Sequence, residues 1–325
     1  MNPPPASAPI AGWIAHLPAA QFAMIMGIGG LGLAWRKAAE GLGASALIGE
    51  AILALAALLF ALILVGYLAK AVRHPKAVAA EFAHPVRSNF FATFSISLMI
   101  LASALFPYAP QPAHGLWALG AALQMGLTLR LMSRWVLAPH EYAHFNPGWF
   151  VPVVGNIIAP VLGVTLGHAE IAWFFFSVGL VFWLVLFAAL FERLVFHPPL
   201  PARLAPSLFI LIAPPAVGFI GYQPLAGHTL DVLARILFFT ALFITLLVLL
   251  CWPLWRKLPF GVTWWAFTFP LDAMALASLD YASLIGHTAA HWLAGLCLGL
   301  ASLAVLRVFL YSAREMIKGD LFPPE

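Results

Sequence analysis

The chain has 325 residues, of which 63% are hydrophobic and only 9% charged, with a formal net charge of +4. An ordinary soluble domain carries roughly 25% charged residues, which excludes a soluble globular fold. The 16 Lys and Arg are spread over short loops rather than clustered, which argues against a nucleic-acid surface.

Apolar windows of about 20 residues, the length that crosses a bilayer's hydrocarbon core, recur along the chain. The expected architecture is an all-α integral membrane protein, residues 1–325 forming a single ten-helix domain. Residues 1–16 are read as an N-terminal cytoplasmic tail and 314–325 as a C-terminal one. The opening stretch MNPPPASAPIAGWIAHLP has no basic region ahead of an apolar core, so no cleavable signal peptide is expected.

The first span, 17–36, carries GIGGLG at 27–32. That string fits a dinucleotide fingerprint, which needs a strand before it and a helix opening at it. Inside an apolar span it reads instead as small residues that let helices approach closely. Spans 46–70, 87–107 and 114–137 follow, and the last leads into HEYAH at 140–144. This matches the zinc-protease pattern, with Glu141 as base. It lies in a loop between Pro139 and Pro147 without an evident third ligand, and catalytic zinc usually takes three. An intramembrane zinc protease is therefore the remote alternative. Spans 150–167, 169–195, 203–222 and 229–253 come next, the last with Asp231 and Arg235 spaced for a local ion pair. Spans 262–285 and 289–313 complete the set, separated by a second histidine pair, HTAAH at 287–291. Cys251 and Cys297 lie in apolar runs and read as packing residues, not a disulfide or metal pair.

Basic residues sort by side. Lys70, Arg73, Lys76, Arg87, Arg134, Arg193, Arg203, Arg256, Lys257, Arg314 and Lys318 fall after even spans, and only Arg36 and Lys37 fall opposite. Short loops rich in Lys and Arg stay cytoplasmic, so both termini are expected inside. Most tryptophans, such as Trp35, Trp135, Trp149 and Trp264, lie near span ends, as an interfacial belt requires.

A repeat of roughly sixty residues underlies the spans. Odd spans are approached through Pro18, Pro85, Pro147, Pro198 or Pro201, and Pro259, and carry further prolines at Pro107, Pro160, Pro214, Pro215 and Pro270. Even spans have essentially none inside. Broken backbone at membrane depth is tolerated where protein or a water-filled cavity satisfies the freed groups. The expectation is five helical hairpins in quasi-five-fold arrangement, odd helices lining a central pore and even helices outside.

Ionisable residues within spans are functional candidates by default. Glu50 and Arg130 lie near span ends, where snorkelling suffices. Arg307 is deeper, with no partner legible in sequence, and Asp280 is close to the outer interface. Asp272 is about ten residues into VTWWAFTFPLDAMALASLD, about 15 Å at helical rise and so near the midplane. At about 100° per residue, Phe269, Asp272, Ala273, Leu276 and Asp280 share one face. If that face lines the pore, Phe269 obstructs it at mid-depth, Pro270 loosens the helix, and Asp272 and Leu276 support the gate. The plainer reading is that Phe269 packs like most of the 26 phenylalanines.

WWAFTFPLD (264–272), HPVRSNFFATFSISLM (84–99), NPGWFVPVVGNIIAPVLG (146–163) and MGIGGLGLAW (26–35) resemble the tellurite-resistance/dicarboxylate transporter family. That family includes the bacterial TehA proteins and the plant slow-type anion channels of guard cells. The resemblance covers nearly the whole chain in the expected order. It implies five helical hairpins, a homotrimer with one pore per subunit, and a ninth-helix phenylalanine, here Phe269, plugging that pore. It also implies passage of small inorganic or carboxylate anions across a bacterial inner membrane, with no enzymatic chemistry, cofactor or metal. The long tails on which plant members are regulated by phosphorylation are absent, so no such control is inferred.

Where the plant channels carry a threonine-rich stretch after the proline, this chain has Leu271 and Asp272. A fixed carboxylate would repel an anion, so Asp272 is expected either to pair with a cation or to carry a proton. The protonated form favours a proton-coupled carrier of malate, sulfite or tellurite-related oxyanions, which is the main alternative. Anion attraction is expected from half-helix N-termini in the broken odd helices and from Arg87 at the cytoplasmic mouth, which serves equally as an interfacial anchor.

Overall fold

The computed structural model describes residues 13–255, 258 and 260–319. Pro259, Arg256, Lys257, residues 1–12 of the expected N-terminal tail and 320–325 of the expected C-terminal tail lie outside the described residues.

Proline sets the pattern of the backbone. Its ring fixes φ and removes a donor, so a segment that opens on proline starts with turns rather than a full α-ladder. After Pro18 the chain makes a 3-10 turn at Ala19–Phe22 and continues into α1 (Ala23–Gly41). Arg87–Phe91 leads in the same way into α3 (Ala92–Leu105), and Ala202–Ile212 into α7 (Ala213–Leu225). Val262–Phe267 leads into α9 (Thr268–Ile285). The fifth segment, α5 (Pro147–Gly163), alternates 3-10 and α turns throughout. The partners in each hairpin are single helices: α2 (Ala46–Arg73), α4 (Pro110–Leu137), α6 (Ala169–Phe196), α8 (Val232–Leu250) and α10 (Thr288–Lys318). Short helices at Trp13–His16, Pro75–Ala83 and Trp252–Trp255 fill the connections, and no strand occurs among the described residues.

The hairpins close into a ring. α1 touches α3, α3 touches α5, α5 touches α7, α7 touches α9, and α9 packs back on α1. The partners stand outside. In the most apolar stretches of α3 and α7, taken with their lead turns, 72% and 83% of residues are buried, against 22% to 39% in α2, α6, α8 and α10. Six helices among the described residues are long and apolar enough to cross a membrane, namely these six. Shortness in α5, and glycine and polar residues in α1, α4 and α9, keep the other segments below that measure. Large apolar side chains such as Leu62, Val65, Val185 and Phe243 point outward from the outer helices, as a lipid-facing layer requires.

Freed backbone groups in the broken segments are met by the outer helices. Gln124 Nε2 and Thr128 Oγ1 of α4 both donate to the Pro152 carbonyl, and Trp117 Nε1 donates to that of Ala159. The prolines differ from expectation in their effect. Pro160, Pro214 and Pro215 occupy first-turn positions of α pieces, and Pro270 is the third residue of α9. A missing amide costs little in a first turn, so Pro270 lies in the opening turn of α9, where it need not bend the helix.

GIGGLG does what its small residues allow. A Cβ on Gly27 would lie 2.1 Å from Thr268 Oγ1, and one on Gly30 would lie 3.1 Å from Asp272 Cβ and 3.3 Å from Phe269 Cδ2. α1 therefore rests directly on α9.

Candidate functional site

The five inner segments enclose one cavity of about 910 Å³. α1 and its lead contribute Pro18, Ala20, Ala23 and Met26, spaced two to three residues apart, and the other four segments also line it at several positions each. The mouth lies at the basic end, the end that carries Lys70, Arg134 and Arg193, and includes His84, Arg87, His144 and Arg203. The residues furthest along each segment that still line it are Met26, Ile96, Ile158, Val217 and Pro270, one from each, with Phe269 immediately before the last.

Arg87 lines the cavity, joined by Arg203, which sequence offered only as a marker of sidedness. His84 shapes that rim: its Nδ1 accepts the Val86 and Arg87 amides, both at 3.1 Å, and fixes the turn that presents Arg87. Below the rim the wall is apolar. The hydroxyls of Thr93 and Ser207 donate to backbone carbonyls of Phe90 and Leu204. Each 3-10 lead runs directly into its α piece. The charged residues of the lining are Arg87 and Arg203.

Phe269 and Pro270 line the cavity, but Asp272 and Leu276 do not. Asp272 is 1% exposed and lies against Gly30 of α1. No described residue bonds to either of its carboxyl oxygens, so the first of the two expected alternatives, pairing with a cation, is not seen among the described residues. Leu276 is half-buried one turn on. Asp280, a turn further, bonds to Lys37 of α1 at 3.2 Å. The face expected to line the pore is split: Phe269 looks into the cavity, and the carboxylates look into the α1–α9 seam.

Other expectations resolve locally. Asp231 does not pair with Arg235. It caps α8 by accepting the Ala234 amide at 2.9 Å, and it accepts the Tyr222 hydroxyl. Glu50 forms a two-pronged pair with Arg36, at 2.7 and 2.8 Å. Arg307 finds aromatic partners, its guanidinium carbon 5.7 Å from the ring centres of both Trp264 and Tyr311. HEYAH is not helical: only Tyr142–His144 forms a 3-10 turn, so His140 and His144 do not stack one turn apart. His140 packs on Trp149, His144 lines the mouth, and no group of three metal-ligating residues occurs among the described residues. In HTAAH, His287 caps α10 by accepting the Ala289 amide.

A closed ring of interrupted helices around a cavity, clad in apolar helices, defines a multi-pass helical membrane protein built about a central cavity. The chain belongs to the Voltage-dependent anion channel family, whose model matches residues 16–313. It is 28% identical to the S-type anion channel SLAH2 of Arabidopsis thaliana over 323 residues, covering 96% of this chain and 62% of that protein. It is 29% identical over 265 residues to the Guard cell S-type anion channel SLAC1 of the same plant, 79% of this chain and 47% of the relative. A Tellurite resistance protein TehA homolog of Haemophilus influenzae is 28% identical over 264 residues, 80% of this chain and 79% of that protein. The chain thus spans about three fifths of the first plant relative and about half of the second.

Proposed function

We propose that this protein is an anion channel or channel-like transporter that passes small anions through the cavity, with Phe269 as its gate. The observation that carries this reading is that all five inner segments line one cavity whose mouth bears Arg87 and Arg203 and whose furthest lining includes the Phe269 ring. Two arginines at the rim concentrate anions electrostatically. The apolar wall beyond them holds an anion weakly, which conduction requires, since an ion must be able to leave as well as enter. The aromatic ring closes the narrow end, and an apolar constriction excludes ions by excluding their water.

This reading takes all ten segments as crossings, the basic end as cytoplasmic, and the membrane as a bacterial inner membrane. It also takes a small inorganic or carboxylate anion as cargo, a homotrimer with one pore per subunit, and no enzymatic chemistry, readings that the family membership supports. The test is current across planar bilayers holding purified protein under a chloride gradient, wild type beside Phe269→Ala. The expected result is a large mutant current reversing near the chloride potential, with little from wild type. Silence from both refutes the gated pore.

A second reading rests on a different observation, the buried Asp272 carboxyl without a hydrogen-bonding partner in the gate helix. Charge buried without a partner is costly, and a carboxyl that gains and loses a proton there would couple anion movement to a pH gradient. The carrier reading predicts that Asp272→Asn abolishes the pH dependence of labelled malate uptake. Wild-type pH dependence in the variant rules it out.

A further inference from the structure

At the basic end, a buried charge is answered by its opposite. Lys70 of α2 is 3% exposed and donates to Glu81 Oε2 at 2.6 Å and to the Leu17 carbonyl at 2.8 Å. Glu81 in turn accepts the Ala19 amide and the Tyr67 hydroxyl. At the other end of the protein two like groups meet instead. The Nε2 atoms of His114, near the start of α4, and His168, the residue before α6, stand 2.8 Å apart. His114 lies about 30 Å along α4 from Arg134 at helical rise. Both histidines are half-buried, so water reaches them without opening the fold.

The surroundings hold the two rings in place. Trp117, one turn after His114, lies parallel to the His168 ring, at an interplanar angle of 1° and 5.3 Å between centroids. Its Nε1 donates to the Ala159 carbonyl of α5 at 2.9 Å, and a Cβ on Gly163 would come within 2.6 Å of its ring, so the indole is wedged against α5. The backbone of His168 is tied on both sides: its amide donates to the Gly163 carbonyl and its carbonyl accepts the Ala172 amide, both at 2.9 Å. Gly167, at φ +86°, makes the turn that brings it there. Glu170 follows, exposed, in the first turn of α6, and its charge favours a cation nearby.

A neutral imidazole carries one N–H and one lone pair, so the facing Nε2 atoms share one proton. Moving that proton to Nδ1 of its own ring leaves two Nε2 lone pairs converging on one point, with no net proton lost. Around zinc, with nitrogens about 2.0–2.1 Å from the metal, tetrahedral neighbours stand about 3.3 Å apart. The rings therefore need to part by only about half an ångström to admit an ion. We propose that His114 and His168 are a two-imidazole site for a transition-metal dication, zinc, nickel or copper, at the end opposite the basic mouth. Imidazole suits these ions, whereas magnesium and calcium take oxygen ligands. No third metal-ligating residue joins the pair among the described residues, so water fills the remaining positions and the ion exchanges with the medium. A bound ion ties α4 to the start of α6, and through Trp117 it braces the far end of α5, one of the segments lining the cavity.

The test uses full-length protein in detergent with any histidine tag removed, and does not depend on transport. Thermal unfolding of wild type, His114→Gln, His168→Gln and the double variant is titrated with zinc chloride and nickel chloride, with magnesium chloride as control. The expected result in wild type is a saturable rise of about 3–5 °C at a hundredfold excess over the dissociation constant, absent with magnesium. Either single variant should lose the rise as completely as the double, since one imidazole cannot chelate. His287→Gln, in the other histidine pair, should keep it. Copper chloride at one equivalent gives a readout independent of unfolding. The electron paramagnetic resonance spectrum of wild type should show two coupled nitrogens, and that of either variant, recorded on its monodisperse fraction, one or none. No zinc or nickel response in wild type, a response that survives in His114→Gln and His168→Gln, or its loss in His287→Gln overturns the proposal.

Discussion

Gly27→Ala tests the contact that seats α9 on α1. The added Cβ would lie 2.1 Å from Thr268 Oγ1 and 2.7 Å from Thr268 Cβ, where carbon contacts normally sit at about 3.5–4.0 Å. The Thr268 side chain cannot simply turn aside. It is fully buried and donates to the Trp265 carbonyl at 2.8 Å, so rotating it strands a buried hydroxyl at about 1–3 kcal/mol. Overpacking adds about 1–3 kcal/mol, and the better helix propensity of alanine returns about 1 kcal/mol. The net expected loss is about 3 kcal/mol. Gly30→Ala is the internal control: its Cβ would meet Asp272 and Phe269 at 3.1 and 3.3 Å, which a few tenths of an ångström relieve, so the propensity gain nearly offsets the strain. The assay is the midpoint temperature for loss of the monodisperse peak in size-exclusion chromatography. Thr268→Gly, which removes both clashing atoms, should show favourable coupling with Gly27→Ala of at least about 1 kcal/mol in a double-mutant cycle. If Gly27→Ala unfolds within roughly a degree of wild type, or shows no coupling to position 268, α1 and α9 do not meet there and the argument fails.

The other expectations concern charge. Glu81→Ala strands the buried Lys70 and should cost about 3–5 kcal/mol, whereas Lys70→Met with Glu81→Leu should recover most of it; equal losses in single and double variants would contradict this in the same thermal assay. In a Phe269→Ala background, Arg203→Gln should lower anion current about threefold at low salt. An anion passing about 6 Å from one charge in water gains about 0.7 kcal/mol. Because the Debye length falls to about 3 Å at 1 M salt, the difference should fade there, and a salt-independent effect would mean that Arg203 acts sterically.

Sequence alone determined the class, the hairpin repeat and the division into inner and outer helices. These depend on composition and on proline placement, both of which act locally: apolar length sets what a bilayer accepts, and proline removes an amide wherever it stands. The prominence of Phe269 was also legible, since a large ring beside Pro270 in an otherwise small-faced helix departs from its surroundings. Only the tertiary structure decided which way the face around it points. Helical periodicity places Phe269, Asp272 and Asp280 together but carries no information about the neighbouring helix. The glycines of α1 draw that helix onto α9 and turn both carboxylates into the seam. The same limit explains Arg203 and Arg193, which look alike in sequence as basic residues near span ends. One lines the mouth of the cavity and the other is buried behind it, because burial is set by what packs from distant parts of the chain, and no local pattern encodes that.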